Sequence, residues 1–366
     1  MYFQFRIRQY ASSAATYDGC MRLQVGFVIP ALLLTSASAV HAEDVRYPNP
    51  NAPGVELAGT FSRPAGDAPV PAVLLVSGAG PQDRDETTAG HKPFQVLADY
   101  LVAHNLAVLR VDDRGVGQST GDFKNATTKD FASDTQAGVQ YLLARKDVDT
   151  KHVGLIGHGE GAIAAAIVAA QTPQAAFLVL LSGTAVPGDK VLLAQTERAQ
   201  MAAGLPPEQI EADQRLGAGL YRMSASGRSE AEMRQALANV PEDYKPFTEP
   251  WQRQLPNLQS PWLRYFLTYD PSTALEQVKC PVLALFGEKD MTIDPEQNAS
   301  AMKHAFSKGH NREAKVKTLP GLNYLFQKAK TGLPAEYGTI REAIDRSVLE
   351  EIQSWIAKQI EPKPRA

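Results

Sequence analysis

The chain has 366 residues, 44% of them hydrophobic and 21% charged, and its 37 Lys and Arg stand against 40 Asp and Glu. That balance suits one large α/β domain with an insertion, and with no long block of one sign it excludes a basic nucleic-acid surface, so no nucleic-acid partner is expected. Cys20 and Cys280 are the only cysteines, which excludes a disulfide framework and leaves Cys280 as a small buried hydrophobe.

Met21-Arg22, the apolar run over residues 25–34 and the small residues up to Val40-His41-Ala42 have the three regions of a secretory signal peptide. Cleavage is expected after Ala42, making residues 1–42 an upstream extension plus leader and the mature chain periplasmic or secreted. The run is shorter than the roughly 20 residues that a spanning helix needs. No membrane span is therefore expected in the mature chain.

Residues 47–53 read as a Pro/Asn-rich lead-in, and residues 55–63 alternate apolar and polar side chains as an exposed first strand does. Residues 70–76 are an unbroken apolar run, expected of a strand covered on both faces of a parallel sheet. It ends in Ser77-Gly78-Ala79-Gly80-Pro81-Gln82-Asp83-Arg84-Asp85, small residues that let backbone approach a ligand. Helical spacing over 93–104 precedes a buried strand at 106–111 and then Asp112-Asp113-Arg114-Gly115-Val116-Gly117-Gln118-Ser119-Thr120-Gly121. Those glycines are one residue too wide for a dinucleotide fingerprint, so a tight loop pinned by Asp113 and Arg114 is expected, and no cofactor. A helix over 129–143 leads to a strand at 153–156.

Residues 156–162 read I-G-H-G-E-G-A, in the strand, tight turn and helix context of a nucleophile elbow, G-x-S-x-G. The middle position is Gly159, which has no atom that could attack a carbonyl carbon. A strand over 176–181 ends at Ser182-Gly183-Thr184, and residues 187–270 then change character to polar helical stretches carrying Trp251, Trp262, Tyr265, Phe266 and Tyr269. This is expected to be a helical lid insertion that shapes a pocket. A strand over 281–286 ends at Gly287-Glu288-Lys289-Asp290, and a helix over 295–306 and a strand over 314–319 lead to Pro320-Gly321-Leu322-Asn323-Tyr324. The amphipathic stretch 339–359 closes the chain. Strands alternating with helices imply an α/β fold, a mainly parallel sheet covered on both faces, built from residues 43–186 and 271–366. No cluster has metal-ligand spacing, so no metal is expected.

With these motifs in place, the chain resembles the α/β-hydrolase fold over essentially all its mature length. More narrowly, it resembles bacterial esterases and serine-aminopeptidase-like hydrolases carrying S-G-x-G-P-x-D-R-D, D-x-R-G-x-G-x-S, G-H-S-E-G, G-x-x-D and L-P-G-x-N-H. It matches them at residues 77–85, 112–119, 287–290 and 319–323. The resemblance places the Ser, acid and His of a triad at Gly159, Asp290 and Tyr324, so that the nucleophile and base are replaced and the acid is kept. It places backbone oxyanion-hole donors at Glu160 and at Ala79 or Gly78, and makes His158 and the Glu160 side chain structural or pocket-lining. A phenol with a reference pKa of about 10 is a poor substitute for an imidazole near 6.5, although it can donate a hydrogen bond. Ser77 and Ser182 are expected to be ordinary strand-end serines.

The expected function is that of an exported, catalytically inactive or reassigned hydrolase-fold protein binding a small carbonyl or carboxylate ligand. The alternative is an active carboxylic-ester hydrolase, esterase or peptidase-like, with a non-standard nucleophile, or an inactivated variant of an ordinary serine esterase.

Overall fold

The computed structural model describes residues 40–361. Most of the expected leader lies outside the described residues, and its last three, Val40 to Ala42, open the first strand. Eight strands form one sheet: β1 (Val40–Pro48), β2 (Glu56–Pro64), β3 (Val70–Val76), β4 (Ala107–Val111), β5 (Val148–His158), β6 (Ala175–Leu181), β7 (Val282–Gly287) and β8 (Ala314–Leu319). Their order is β1-β2-β4-β3-β5-β6-β7-β8. The β1–β2 and β2–β4 pairs are antiparallel, and every pair from β4–β3 to β7–β8 is parallel.

The apolar runs of the inner strands have no polar face because both faces are covered. Leu74, Leu155, Leu178 and Val282 point into one core layer, closed by α2 (Thr128–Leu143) and α3 (Glu160–Gln171). Their neighbours Val73, Ile156, Val179 and Leu283 point into the other, closed by α1 (Pro93–Ala103) and the C-terminal helix. This is the period-two alternation of a pleated strand. Between β6 and β7 run α4 (Gly188–Ala202), α5 (Pro207–Ala225), α6 (Glu230–Ala238), α7 (Glu249–Gln254) and α8 (Pro261–Thr268), then the short α9 (Ser272–Leu275). The chain continues with α10 (Pro295–Lys308) and α11 (Arg346–Ile360). Among the described residues, no helix is long and apolar enough to cross a membrane.

Three expectations need correction. The stretch expected as an exposed first strand is the second strand, and it is largely buried. β1 pairs along the whole length of β2, and Ser62 and Arg63 of β2 are buried rather than solvated. Arg63, for example, reaches Asp147 at 3.1 Å and donates to the Ala68 carbonyl at 3.0 Å. The closing helix begins at Arg346 rather than near residue 339, because Asp345 caps it by accepting the Ser347 N–H at 2.9 Å. Cys280 is partly rather than fully buried, and burial pushes its thiol up to about 11.

Candidate functional site

β5 delivers the chain into a turn at Gly159, whose φ of 54° and ψ of −115° suit a residue without a Cβ. Its N–H donates to the Leu181 carbonyl at 2.9 Å, and α3 begins at the next residue. Gly157 and Gly161 flank the turn because a Cβ on either would run into backbone, the Ala162 Cα at 2.7 Å and the Val76 carbonyl carbon at 2.6 Å. A Cβ at Gly159 would meet something different: the phenol oxygen of Tyr324, with the Tyr324 Cζ at 3.3 Å. The Tyr324 hydroxyl therefore stands where an elbow side chain would begin.

Asp290 follows β7 and is fully buried. Its Oδ1 accepts the N–H groups of Thr292 and Ile293, each at 2.8 Å, while Oδ2 has no hydrogen-bond partner. Burial pushes this carboxyl up to about 6, against the lowering influence of the Ile293 N–H, the Ser182 hydroxyl and the Thr292 N–H. Ser182 is close enough to act through its field but outside hydrogen-bond geometry, since its Oγ also lacks a partner. Tyr324 lies half-buried after β8. Burial, then the negative fields of Glu86 and Asp290, raise its phenol well above the ordinary value. It stays protonated, so its hydroxyl is available as a donor.

Sequence reasoning missed Glu86, whose one signal was its place directly after Asp83-Arg84-Asp85. It sits at a positive φ of 53° with 3% of its surface exposed. Its Oε1 accepts the Gly78 N–H at 2.7 Å and lies 2.9 Å from His158 Nδ1, while Oε2 has no partner. His158 Nε2 donates to the Tyr324 carbonyl at 3.1 Å. Burial opposes a charge on this imidazole, but the Glu86 carboxylate outweighs it and raises the pKa. Of the expected oxyanion donors, the Gly78 N–H is thus already bonded to Glu86. The N–H groups of Ala79 and Glu160 are left, both on the cavity wall.

The Glu160 side chain turns away from this chemistry. Its Oε1 accepts from Thr128 Oγ1 at 2.6 Å and from the Trp262 indole N–H at 2.7 Å, joining the elbow to α2 and α8. Ser77 Oγ lies 2.6 Å from Asp113 Oδ1, and the Gln82 N–H donates to Asp113 Oδ2 at 2.9 Å. Burial, reinforced by the charges of Glu160 and Glu86, pushes Asp113 up to about 8, so near neutral pH it is no base for Ser77. Ser182, at φ 46°, is fully buried. Arg114 forks onto Asp134 at 2.6 and 2.9 Å, and Arg84 forks onto Asp112 at 3.1 and 2.8 Å, so the loops after β3 and β4 are held by buried ion pairs.

A cavity of about 470 Å³ opens over Gly159, Tyr324 and Glu86. Phe266 of α8 and Tyr337 also line it, and no Lys or Arg does. Among the described residues, no group of three or more His, Cys, Asp or Glu is placed to hold a metal ion.

A mostly parallel sheet covered on both faces, with a strand–turn–helix elbow and loops converging at one edge, defines an α/β-hydrolase fold. Solved structures share it. A hypothetical protein, PA2218, from Pseudomonas aeruginosa aligns with a TM-score of 0.55 at 15% identity, over 93% of this chain and all of that one. An esterase, PF2001, from Pyrococcus furiosus aligns with a TM-score of 0.54 at 15% identity, over 94% of this chain and 98% of that one. The α/β hydrolase GrgF from Penicillium sp. aligns with a TM-score of 0.53 at 17% identity, over 87% and 99%. The chain belongs to the family described as X-Pro dipeptidyl-peptidase (S15 family), whose model matches residues 53–312. It is also similar to Esterase EstD from Thermotoga maritima, 25% identical over 303 residues that make up 82% of this chain and 66% of that protein, just under two thirds of the relative's length.

Proposed function

We propose that this protein is an exported, catalytically reassigned member of the α/β-hydrolase fold whose cavity binds a small carbonyl-bearing ligand. In this reading Gly159, Asp290 and Tyr324 hold the nucleophile, acid and base positions, only the acid is kept, and α4 to α8 act as a lid. The observation that carries it is the Tyr324 hydroxyl standing in the space of an elbow side chain. A serine nucleophile has no room there, and a protonated phenol is no base for one. The unpartnered N–H groups of Ala79 and Glu160 suit a carbonyl oxygen. Glu86 and Asp290 nearby favour a neutral carbonyl over a carboxylate.

The similarity to Esterase EstD favours a second reading, a carboxylic-ester hydrolase with a non-standard nucleophile. Fluorophosphonate labelling of the purified mature protein separates the two. We expect no labelled serine, and a rise in melting temperature with short neutral esters and ketones at millimolar concentration, by mass action. Labelling at any serine would establish the hydrolase reading instead, and the absence of any thermal shift would remove the ligand pocket.

A further inference from the structure

Which carbonyl compounds the cavity takes rests on the binding reading just given and on the polar atoms that its wall leaves open. The charged groups beside it are closed to a ligand. Glu86 Oε1 is held by the Gly78 N–H and His158, and Glu86 Oε2 and Asp290 Oδ2 are sealed beneath the surface. No Lys or Arg lines the cavity. An ammonium or carboxylate ligand would therefore lose its water without gaining a partner, which leaves a neutral one.

Two side-chain groups on the wall differ from these. The Tyr324 hydroxyl has no hydrogen-bond partner among the described residues, yet it is not one of the sealed atoms. It lies 3.2 Å from where a Cβ on Gly78 would sit and closer still to the corresponding point on Gly159. Those two glycines immediately precede Ala79 and Glu160, so the phenol O–H stands beside both free N–H groups. Gln82 lines the same cavity. Its Nε2 donates to the Ala79 carbonyl at 3.2 Å, and since a carbonyl accepts only from a donor, this contact fixes which end of the side-chain amide is nitrogen. Gln82 Oε1 is then an acceptor with no protein partner, and it too is not sealed.

We propose that the ligand is an uncharged carboxamide carrying an apolar group, its oxygen held by Tyr324 Oη and the N–H groups of Ala79 and Glu160, and its N–H held by Gln82 Oε1. A carboxamide nitrogen shares its lone pair with the carbonyl, which makes the oxygen a better acceptor than that of a ketone or ester. A cluster of donors therefore gains most from an amide. A ketone or ester of the same shape brings no N–H and leaves Gln82 Oε1 unpaired, which carries a desolvation cost. Ile293, Leu325 and Phe266 supply the apolar wall, and about 470 Å³ accommodates a ring. Recognition of this kind needs neither nucleophile nor base. It suits a site in which Gly159 has no side chain and the phenol is held protonated.

The test is calorimetric titration with benzamide and acetophenone, which differ only in NH2 against CH3. Benzamide should bind the intact protein at least about tenfold more tightly. Gln82→Leu should bring that ratio close to one. Tyr324→Phe, which keeps the ring and its packing, should weaken both compounds roughly fivefold or more. If both compounds bind the intact protein equally well, the carboxamide assignment is overturned and the carbonyl-binding reading survives. If neither binds at millimolar concentration, both are overturned. A tenfold ratio that persists in folded Gln82→Leu would overturn the role of Gln82, and parental affinities in Tyr324→Phe would overturn that of the phenol. Should Gln82→Leu fail to fold, the ratio in the intact protein and the Tyr324→Phe titration still decide.

Discussion

Rebuilding a triad tests the site most sharply, because the two substitutions required are sterically coupled. In Gly159→Ser, the new Cβ must displace the Tyr324 hydroxyl and adopt a φ of 54°. Overpacking costs about 1–3 kcal/mol, and a non-glycine residue in such a backbone region costs about 1–3 kcal/mol more. For a domain of this size that corresponds to a fall in melting temperature on the order of 10 °C. Tyr324→His withdraws the phenol and opens the space, so the double variant should recover the overpacking part, a favourable coupling of about 1–3 kcal/mol. It would also bring serine, imidazole and Asp290 together, with the unpartnered Asp290 Oδ2 available to a ring N–H. Hydrolysis of short acyl p-nitrophenyl esters by the double variant should exceed the product of the two single effects by at least about a hundredfold, since residues acting as a unit are strongly non-additive. Asp290→Asn in that background should remove most of the gain. Thermal melts and ester turnover across the four proteins decide the matter. A Gly159→Ser variant that melts with the parent would refute the steric argument, and a folded double variant no faster than the parent would refute the triad assignment.

Two further expectations concern stability. The Asp290 carboxyl is raised from its ordinary 3.8 to about 6, so its contribution is intact below 3.8 and is lost as pH rises through 6. Asp290→Asn keeps an oxygen for Thr292 and Ile293 while removing the buried charge; it should leave stability unchanged near pH 3.5 and raise it above pH 6 by on the order of 3 kcal/mol, as read by urea unfolding. Trp262→Phe deletes the indole donor to Glu160 and leaves a buried carboxyl oxygen with Thr128 alone. It should cost about 1–3 kcal/mol and speed amide exchange in α8 more than in the sheet, whereas uniform protection would show that this bond does not hold α8 down.

Much of the architecture was legible because buried parallel strands announce themselves as continuous apolar runs. Residues 70–76 coincide with β3 and residues 281–286 fall within one residue of β7, and the glycines of the elbow fell where backbone crowding requires them. β1 escaped notice because its apolar members, such as Val45 and Tyr47, are interrupted by charged residues whose partners are distant in sequence, as with Glu43 and Arg145 at 2.6 Å. The start of α11 was misplaced for a related reason: amphipathic spacing extends upstream of residue 346, and only the cap at Asp345 says where the helix begins. At the site, Gly159, Asp290 and Tyr324 stood in recognisable motifs. Glu86 did not, because its importance arises from contacts with Gly78 and His158 that no local pattern encodes. Nor could spacing reveal that the Tyr324 ring crosses into the space above Gly159, or that Gly78 already has a partner.

The ion pairs that knit the loops after β3 and β4 have a consequence for how such a protein changes over time. Arg84 with Asp112 and Arg114 with Asp134 fix the rim beside the cavity, yet none of these four residues lines it. The framework holding the working surface in place is therefore built from other side chains than those displayed on it. Residues on that surface can be exchanged without the rim giving way, so one lineage can abandon a chemistry and try another while its fold remains under the same selection as before.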